Sequence, residues 1–145
     1  MGGQWASIAN FLIYLGISLP LLAVGVFLFM ITTPYKEHEL IAAGDELDDP
    51  RKACAARATA YDLGGKILGL SIVLASAVFH AVNFVDLIIW GLIGAMFQVI
   101  VFYIFELVTP FTVVKEIPRG NVAVGIFSAF LSLSTGLLLA ALISY

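Results

Sequence analysis

Charge is scarce in this chain of 145 residues: only 12% of its residues are charged, whereas 61% are hydrophobic. A soluble domain has about a quarter charged residues and roughly half apolar ones. Water would not solvate so apolar a surface, so the lipid bilayer must be the solvent for most of the chain. The chain contains only 7 Lys and Arg residues, which excludes a basic patch for nucleic acid.

Cysteine is nearly absent as well, because Cys54 is the only one. A single cysteine excludes an internal disulfide and any cysteine-based metal cluster. The two histidines, His38 and His80, fall at opposite membrane surfaces in the topology described below, so one monomer cannot bring them to a shared metal ion. The sequence also lacks a glycine-rich phosphate loop, a Gly-x-Ser-x-Gly elbow and a His-Glu-x-x-His helix. We therefore expect no enzyme activity, no metal and no cofactor.

Long hydrophobic runs, by contrast, are abundant. A helix needs about 20 apolar residues to cross the hydrocarbon layer, and lipid offers no partner for unpaired backbone amides. The runs are continuously apolar and lack the alternation of barrel strands. The sequence thus predicts an all-α membrane protein, a single membrane domain over residues 1–145 with four transmembrane helices. The spans lie at about 7–31, 63–82, 87–108 and 122–144.

The basic residues all fall on one side of the predicted membrane. The N-terminus, the turn at 83–86 and the C-terminus carry none. Cytoplasmic loops are enriched in Lys and Arg, so we expect both long loops in the cytoplasm and the N and C termini outside. The basic positions are Lys36, Arg51, Lys52, Arg57, Lys66, Lys115 and Arg119.

The loop that follows the first span is similar to the loop that follows the third. Residues 33–45 align with residues 109–121 at a constant offset of 76, and both segments begin with Thr-Pro and share an Ile and a Gly. This predicts a two-helix unit used twice, as parallel repeats related by an axis along the membrane normal. The first copy carries an acidic insertion, in which Pro50 and the acidic run favour a turn in water. Repeat one covers 7–82, with a cytoplasmic loop at 32–62 and the insertion at 45–55, and repeat two covers 87–144.

Five segments carry a family resemblance that extends, in order, over nearly the whole chain. They are Thr-Pro-Tyr-x-Glu-x-Glu-Leu-Ile from Thr33, Leu-Gly-Gly-x-x-x-Gly from Leu63, Ala-Ser-Ala-x-x-His from Ala75, Asp-x-x-x-Trp-Gly from Asp86 and Gly-Asn-x-Ala-x-Gly-Ile from Gly120. Together they resemble the bacterial inner-membrane family called domain of unknown function 350. The resemblance implies a four-span inner-membrane protein built from a duplicated two-span unit, and it implies no established activity.

The second span carries ionisable residues, which are costly inside a membrane and are candidates for function. Asp62 and His80 are 18 residues apart, which is five helical turns, so they share a face. Lys66 lies four residues after Asp62 and can pair with it near the interface. Close to the same face are Gly65, Gly69 and Ser76. Two interpretations stay open: close helix packing through the two glycines, or the wall of a water-filled path.

Polar residues also mark the turn between the second and third spans. Asn83 is expected to cap the third span together with Asp86, three residues on. His80 then either hydrogen-bonds back into that turn or carries a proton or ligand, since an imidazole titrates near physiological pH. Within the third span, Gln98 is expected to hydrogen-bond another helix, and Glu106 to anchor the cytoplasmic end.

Small residues recur on the fourth span at a spacing of four, which predicts a packing seam between subunits or against the second span. They are Ser128, Ser132, Gly136 and Ala140. In the first loop, residues 35–43 are predicted to form a short interfacial helix ended by Gly44. Within it, Glu37 and Glu39 are candidates for docking a partner.

These features favour a small integral protein of the bacterial inner membrane that acts as a structural or interaction subunit. Such a subunit would contact the lipid bilayer, form a homo-oligomer or join another membrane complex, and dock partners through its cytoplasmic loops. The alternative is a channel or carrier for protons, ions or small solutes, with a polar path near Asp62, Ser76, His80 and Gln98. Four short spans hardly enclose a pore, so transport would require an oligomer.

Overall fold

The computed structural model describes residues 2–45 and 49–143, and all regular structure in these residues is helical. Four of the helices are long and apolar enough to cross a membrane. The prediction of an all-α protein with four such helices is therefore confirmed. The elements are α1 (Gly2–Thr32), α2 (Glu37–Ala42), a 3₁₀ turn (Ala43–Asp45), α3 (Pro50–His80), α4 (Phe84–Val108), α5 (Val113–Glu116) and α6 (Val122–Ile143).

The third helix, α3, begins at Pro50, well before the predicted start of the second span. Asp49 caps this helix, because its carboxylate accepts the backbone N–H of Arg51 at 2.9 Å. Proline suits the first helical position, where an N–H would have no partner. The turn predicted in the acidic insertion is thus not present at residues 50–55, which are helical, while residues 46–48 lie outside the described residues. At about 1.5 Å per residue, the 31 residues of α3 are longer than the roughly 30 Å of hydrocarbon.

Helices α1 and α4 run in the same direction. A Cβ added to Gly91 would lie 3.2 Å from Leu21 Cδ1, and one added to Gly25 would lie 3.6 Å from Ala95 Cβ. Because the later residue of α1 meets the later residue of α4, the two helices are parallel. The short connection between α3 and α4 makes these two helices antiparallel.

Helices α3 and α6 form the most extensive helix–helix contact among the described residues, and they are also parallel. A Cβ added to Gly125 would lie 2.8 Å from Ala58 Cα, and one added to Gly136 would lie 2.6 Å from Gly69 Cα. Lipid tails are as apolar as side chains, so helix association in a membrane depends on close van der Waals contact of this kind. Small residues therefore hold the two helices backbone to backbone.

These directions place α2, the 3₁₀ turn and α5 at one end of the bundle. The two ends of the described chain and the connection between α3 and α4 lie at the other. Helix α1 is the most peripheral, since 6% of its spanning window is buried by protein, against 28% to 39% for α3, α4 and α6.

Candidate functional site

Asp62 lies at the centre of a polar cluster enclosed by α3, α6 and the segment between α1 and α2. Its side chain is buried and accepts three hydrogen bonds. Lys66 Nζ donates to Asp62 Oδ2 at 2.7 Å, and the Tyr35 hydroxyl donates to the same oxygen at 2.9 Å. The Ser128 hydroxyl of α6 donates to Asp62 Oδ1. The predicted pair of Asp62 and Lys66 therefore forms, and it is enclosed by protein.

Lys66 also contacts α4. Its Nζ lies 4.3 Å from the ring centroid of Phe102, a distance at which the face of the ring attracts a cation. Gln98 Nε2 donates to the carbonyl oxygens of Lys66 and of Ser132, each at 3.3 Å. Gln98 thus binds two other helices, α3 and α6, as expected for an amide inside a membrane. Gln98 Oε1, by contrast, is buried and has no hydrogen-bond partner among the described residues.

A small cavity lies beside Lys66 and Gln98. Its volume is about 10 Å³, and Thr33 and Phe102 are among the residues that line it. A space of this size holds about one water molecule when polar groups surround it. The cavity offers room for one hydrogen-bonding water and none for a larger ligand.

Glu37, the first residue of α2, is a second buried carboxylate near this cluster. It is 0% exposed, and neither of its side-chain oxygens has a hydrogen-bond partner within the described part of the chain. The hydroxyl of Thr33 instead donates to the Phe29 carbonyl at 2.8 Å. Burial raises the pKa of Glu37, while three nearby groups oppose this rise: its own backbone N–H, the Thr33 hydroxyl and the ammonium of Lys66. Of the two docking candidates only Glu39 is displayed to solvent, so the docking role predicted for Glu37 does not fit its position.

Tyr35 and Glu39, which also lie near α2, differ in burial and therefore in the direction of their pKa shifts. Burial and the adjacent Asp62 carboxylate raise the pKa of Tyr35, so its phenol keeps the proton that it shares with Asp62. Glu39 is exposed and accepts a hydrogen bond from Lys36 at 2.7 Å, which lowers the pKa of Glu39. The surface pair is solvated, whereas the buried tyrosine is part of the cluster.

Glu106 fastens α5 to the end of α4. Its Oε2 accepts the backbone N–H of Val113 at 2.9 Å, and its Oε1 accepts that of Val114 at 3.3 Å. The first amides of a helix have no partner within the helix, and a carboxylate there also meets the positive end of the helix dipole. Glu106 therefore caps α5, a role that the sequence did not predict, and anchoring at the membrane interface stays a prediction.

The polar residues at the far end of α3 lie about 27 Å along the helix from Asp62. Asn83 caps α4 by accepting the Asp86 N–H at 3.0 Å, and Asp86 accepts the Val82 N–H at 3.1 Å. Of the two alternatives for His80, the hydrogen bond back into this turn is not formed. His80 Nδ1 lies 2.8 Å from the Ser76 carbonyl one turn earlier, and the side chain is exposed. The structure therefore does not bring His80 and Asp62 together.

The small residues of α6 lie against α3 of the same chain, which decides between the two predicted partners of this seam. The contacts, in order along the helices, are Asp62 with Ser128, Gly65 with Ala129, Gly69 with Ser132 and Gly136, and Ser76 with Ala140. The hydroxyl of Ser76 donates to the Ala140 carbonyl at 2.7 Å. Because α3 and α6 cover each other here, this surface is closed to a second subunit.

Two aromatic members of the cluster were not predicted from the sequence. Tyr35 aligns with Phe111 at the offset of 76, so its hydroxyl is present in only one of the two loops. That difference is a signal that could have identified Tyr35. Phe102 carries a weaker signal: it shares the helical face of Gln98, but it is one aromatic residue among several in an apolar helix.

Comparison with known proteins identifies relatives along the whole membrane domain. The family described as Domain of Unknown Function (DUF350) matches residues 4–143. The chain is 30% identical over 129 residues to the UPF0719 transmembrane protein YshE of Bacillus subtilis, which covers 88% of each chain. It is 27% identical over 139 residues to the UPF0719 inner membrane protein YjfL of Escherichia coli K12, which covers 96% of each chain. No solved structure matches it significantly.

Proposed function

Since this chain belongs to the DUF350 family and is a multi-pass inner-membrane protein, we propose that it acts as a structural or interaction subunit. The bundle would serve as a rigid base in the membrane, and the end that carries α2 and α5 would dock partner proteins. The proposal combines the closed interior of the described bundle with the charged surface at that end.

The use of the polar side chains in the interior is the observation that carries the proposal. Ser76, Gln98 and Ser128 each donate to a group on another helix. The cavity beside Gln98 has a volume of about 10 Å³, which is too small for a solute. Because these polar side chains bond to neighbouring helices, their arrangement supports a structural role more than a path for ions or solutes.

The docking surface would lie in the cytoplasm. Apart from Lys66, the basic residues belong to α5, the start of α3 and the connections at this end of the bundle, and cytoplasmic loops are the ones enriched in Lys and Arg. Exposed ion pairs occur here between Lys36 and Glu39 at 2.7 Å and between Arg119 and Glu116 at 3.2 Å. Solvated pairs of this kind contribute little stability, so they are free to exchange partners with another protein. Reporter fusions at the C-terminus test the orientation, and a cytoplasmic signal there would contradict it.

A tandem repeat would explain the arrangement of the bundle. The parallel directions of α1 with α4 and of α3 with α6 support two copies of one unit related by an axis along the membrane normal. In a homo-oligomer, further copies would have to contact lipid-facing surfaces, because the seam between α3 and α6 is used within the chain. Helix α1 offers the largest such surface, since only 6% of its spanning window is buried.

Crosslinking in native membranes followed by affinity purification tests the docking role. The variant with both Lys36→Ala and Glu39→Ala should lose a stoichiometric partner that the wild type retains. His80→Ala is the matched control, because His80 is exposed at the other end of the bundle and its hydrogen bonds among the described residues stay within its own helix. Equal recovery of every partner by all three proteins would place docking elsewhere. Recovery of no partner by the wild type would contradict the scaffold.

The alternative is a channel or carrier for protons, ions or small solutes, formed by an oligomer. A buried ion pair favours it, together with the amide oxygen of Gln98, which has no hydrogen-bond partner among the described residues, since polar groups in membranes often mark ion pathways. Under this alternative, His80→Ala should abolish pH-dependent flux in proteoliposomes. Absence of flux with the wild-type protein would rule the alternative out.

A further inference from the structure

The carboxylate of Glu37 is the least satisfied polar group in the described bundle. The residue is 0% exposed, and both of its side-chain oxygens lack a hydrogen-bond partner among the described residues. An ionised carboxylate buried without donors costs so much solvation energy that the group takes up a proton instead. The position of Glu37 therefore favours its neutral form.

The charges that face Glu37 do not compensate a second carboxylate in the interior. Its titratable neighbours are Asp62 and Lys66 from α3, Tyr35 from the segment before α2, and Tyr103 from α4. Helix α6 contributes no titratable residue. The ammonium of Lys66 is already bound to Asp62 at 2.7 Å, so that pair is neutral as a whole. An ionised Glu37 would leave one uncompensated negative charge in the interior, and a proton on Glu37 removes it.

The second loop shows that packing alone does not require an acid here. The offset of 76 aligns Glu37 with Val113, which is 2% exposed at the start of α5. Both short helices thus bury their first residue against the bundle, and valine fills that position in the second loop. An apolar residue is sufficient to fill this position. The acid in the first loop therefore adds a property that packing does not need, the ability to bind a proton.

We propose that the side chain of Glu37 is a proton-binding site, occupied by a proton from cytoplasmic water when α2 lies against the bundle. Binding forms one O–H bond on the Glu37 carboxylate, and release returns the proton to water. Release leaves an anion that is stable only when hydrated, so α2 must then loosen from α3. This property goes beyond the scaffold role, because it makes the docking end of the bundle respond to cytoplasmic pH.

Infrared difference spectroscopy on the full chain in nanodiscs tests the proposal directly. The wild type should show the carbonyl stretch of a protonated carboxylic acid at neutral pH, and the band should fade as the solution is made alkaline. Glu37→Gln should lack the band, because its amide resembles the protonated acid but cannot titrate. Glu39→Gln is the matched control, since Glu39 is exposed on the same helix, and it should retain the band.

A second measurement follows the backbone. Hydrogen exchange of the α2 amides, corrected for the intrinsic effect of pH, should speed up on alkalinisation in the wild type but not in Glu37→Gln. The amides of α5 serve as the internal reference, because Val113 cannot titrate. Absence of the infrared band from the wild type at neutral pH would overturn the proposal, whether or not the variant folds. A band that persists in folded Glu37→Gln would overturn it as well, since the proton would then belong to another carboxyl group.

Discussion

Two adjacent glycines on α3 allow a stringent test of the packing between α3 and α6. A Cβ added to Gly65 would lie 2.3 Å from Ala129 Cα, whereas one added to Gly64 would have nothing within 4 Å. Ordinary contact begins at 3.4 Å, so Gly65→Ala requires a displacement of about 1.1 Å between two backbones. Overpacking of this kind costs about 1–3 kcal/mol. Both substitutions gain the same helix propensity, about 0.5–1 kcal/mol. The difference between their unfolding free energies therefore reports only the contact of residue 65 with Ala129.

Unfolding in mixed micelles with increasing denaturing detergent measures this difference. We expect Gly64→Ala to be as stable as the wild type or slightly more stable, and Gly65→Ala to be about 1–3 kcal/mol less stable than Gly64→Ala. Cysteine crosslinking between α3 and α6 in the two variants would show whether the helices have moved apart. Equal stability of both variants would refute the close approach of α3 and α6 on which the site depends.

Other substitutions test the polar groups separately. Lys66→Met should cost about 3–5 kcal/mol because Asp62 loses its counter-ion, and adding Asp62→Asn should restore part of the loss, as a double-mutant cycle would show. Asn83→Ala should cost about 1 kcal/mol in the same unfolding assay, because α4 loses its cap. Burial raises the pKa of Glu37 above the ordinary 4.5, so its contribution to stability is fully present below pH 4.5 and is lost as pH rises through the folded value. The stability difference between wild type and Glu37→Gln should therefore fall with rising pH, and a flat difference would contradict the buried position.

Much of the bundle was predictable because the bilayer imposes simple requirements. Runs of about 20 apolar residues had to be helices, since lipid leaves no other way to satisfy the backbone. The pairing of Asp62 with Lys66 followed from helical spacing alone. The start of α3 at Pro50 itself was not predicted, because an acidic run with Pro50 is typical both of a turn and of a helix N-terminus.

The polar residues show where helical periodicity stops being informative. Asp62 and His80 do share a direction on α3, but Asp62 is buried against α6 and His80 is exposed. Spacing along one helix gives no information on which of its positions a neighbouring helix covers. The same limit applied to the seam on α6, for which a second subunit and α3 were equally good partners until the fold placed α3 there.

By itself, the sequence determined the solvent and the number of spans, because these depend on composition and order along the chain. The tertiary structure alone decided which polar groups are enclosed. Glu37 and Glu39 are both acids on one short helix, and two residues of helical spacing place them on nearly opposite faces. Only the packing of α2 against α3 determines that Glu37, and not Glu39, lies on the face that is shielded from water. A carboxylate shielded from water favours its protonated form, so Glu37 is the acid that can hold a proton.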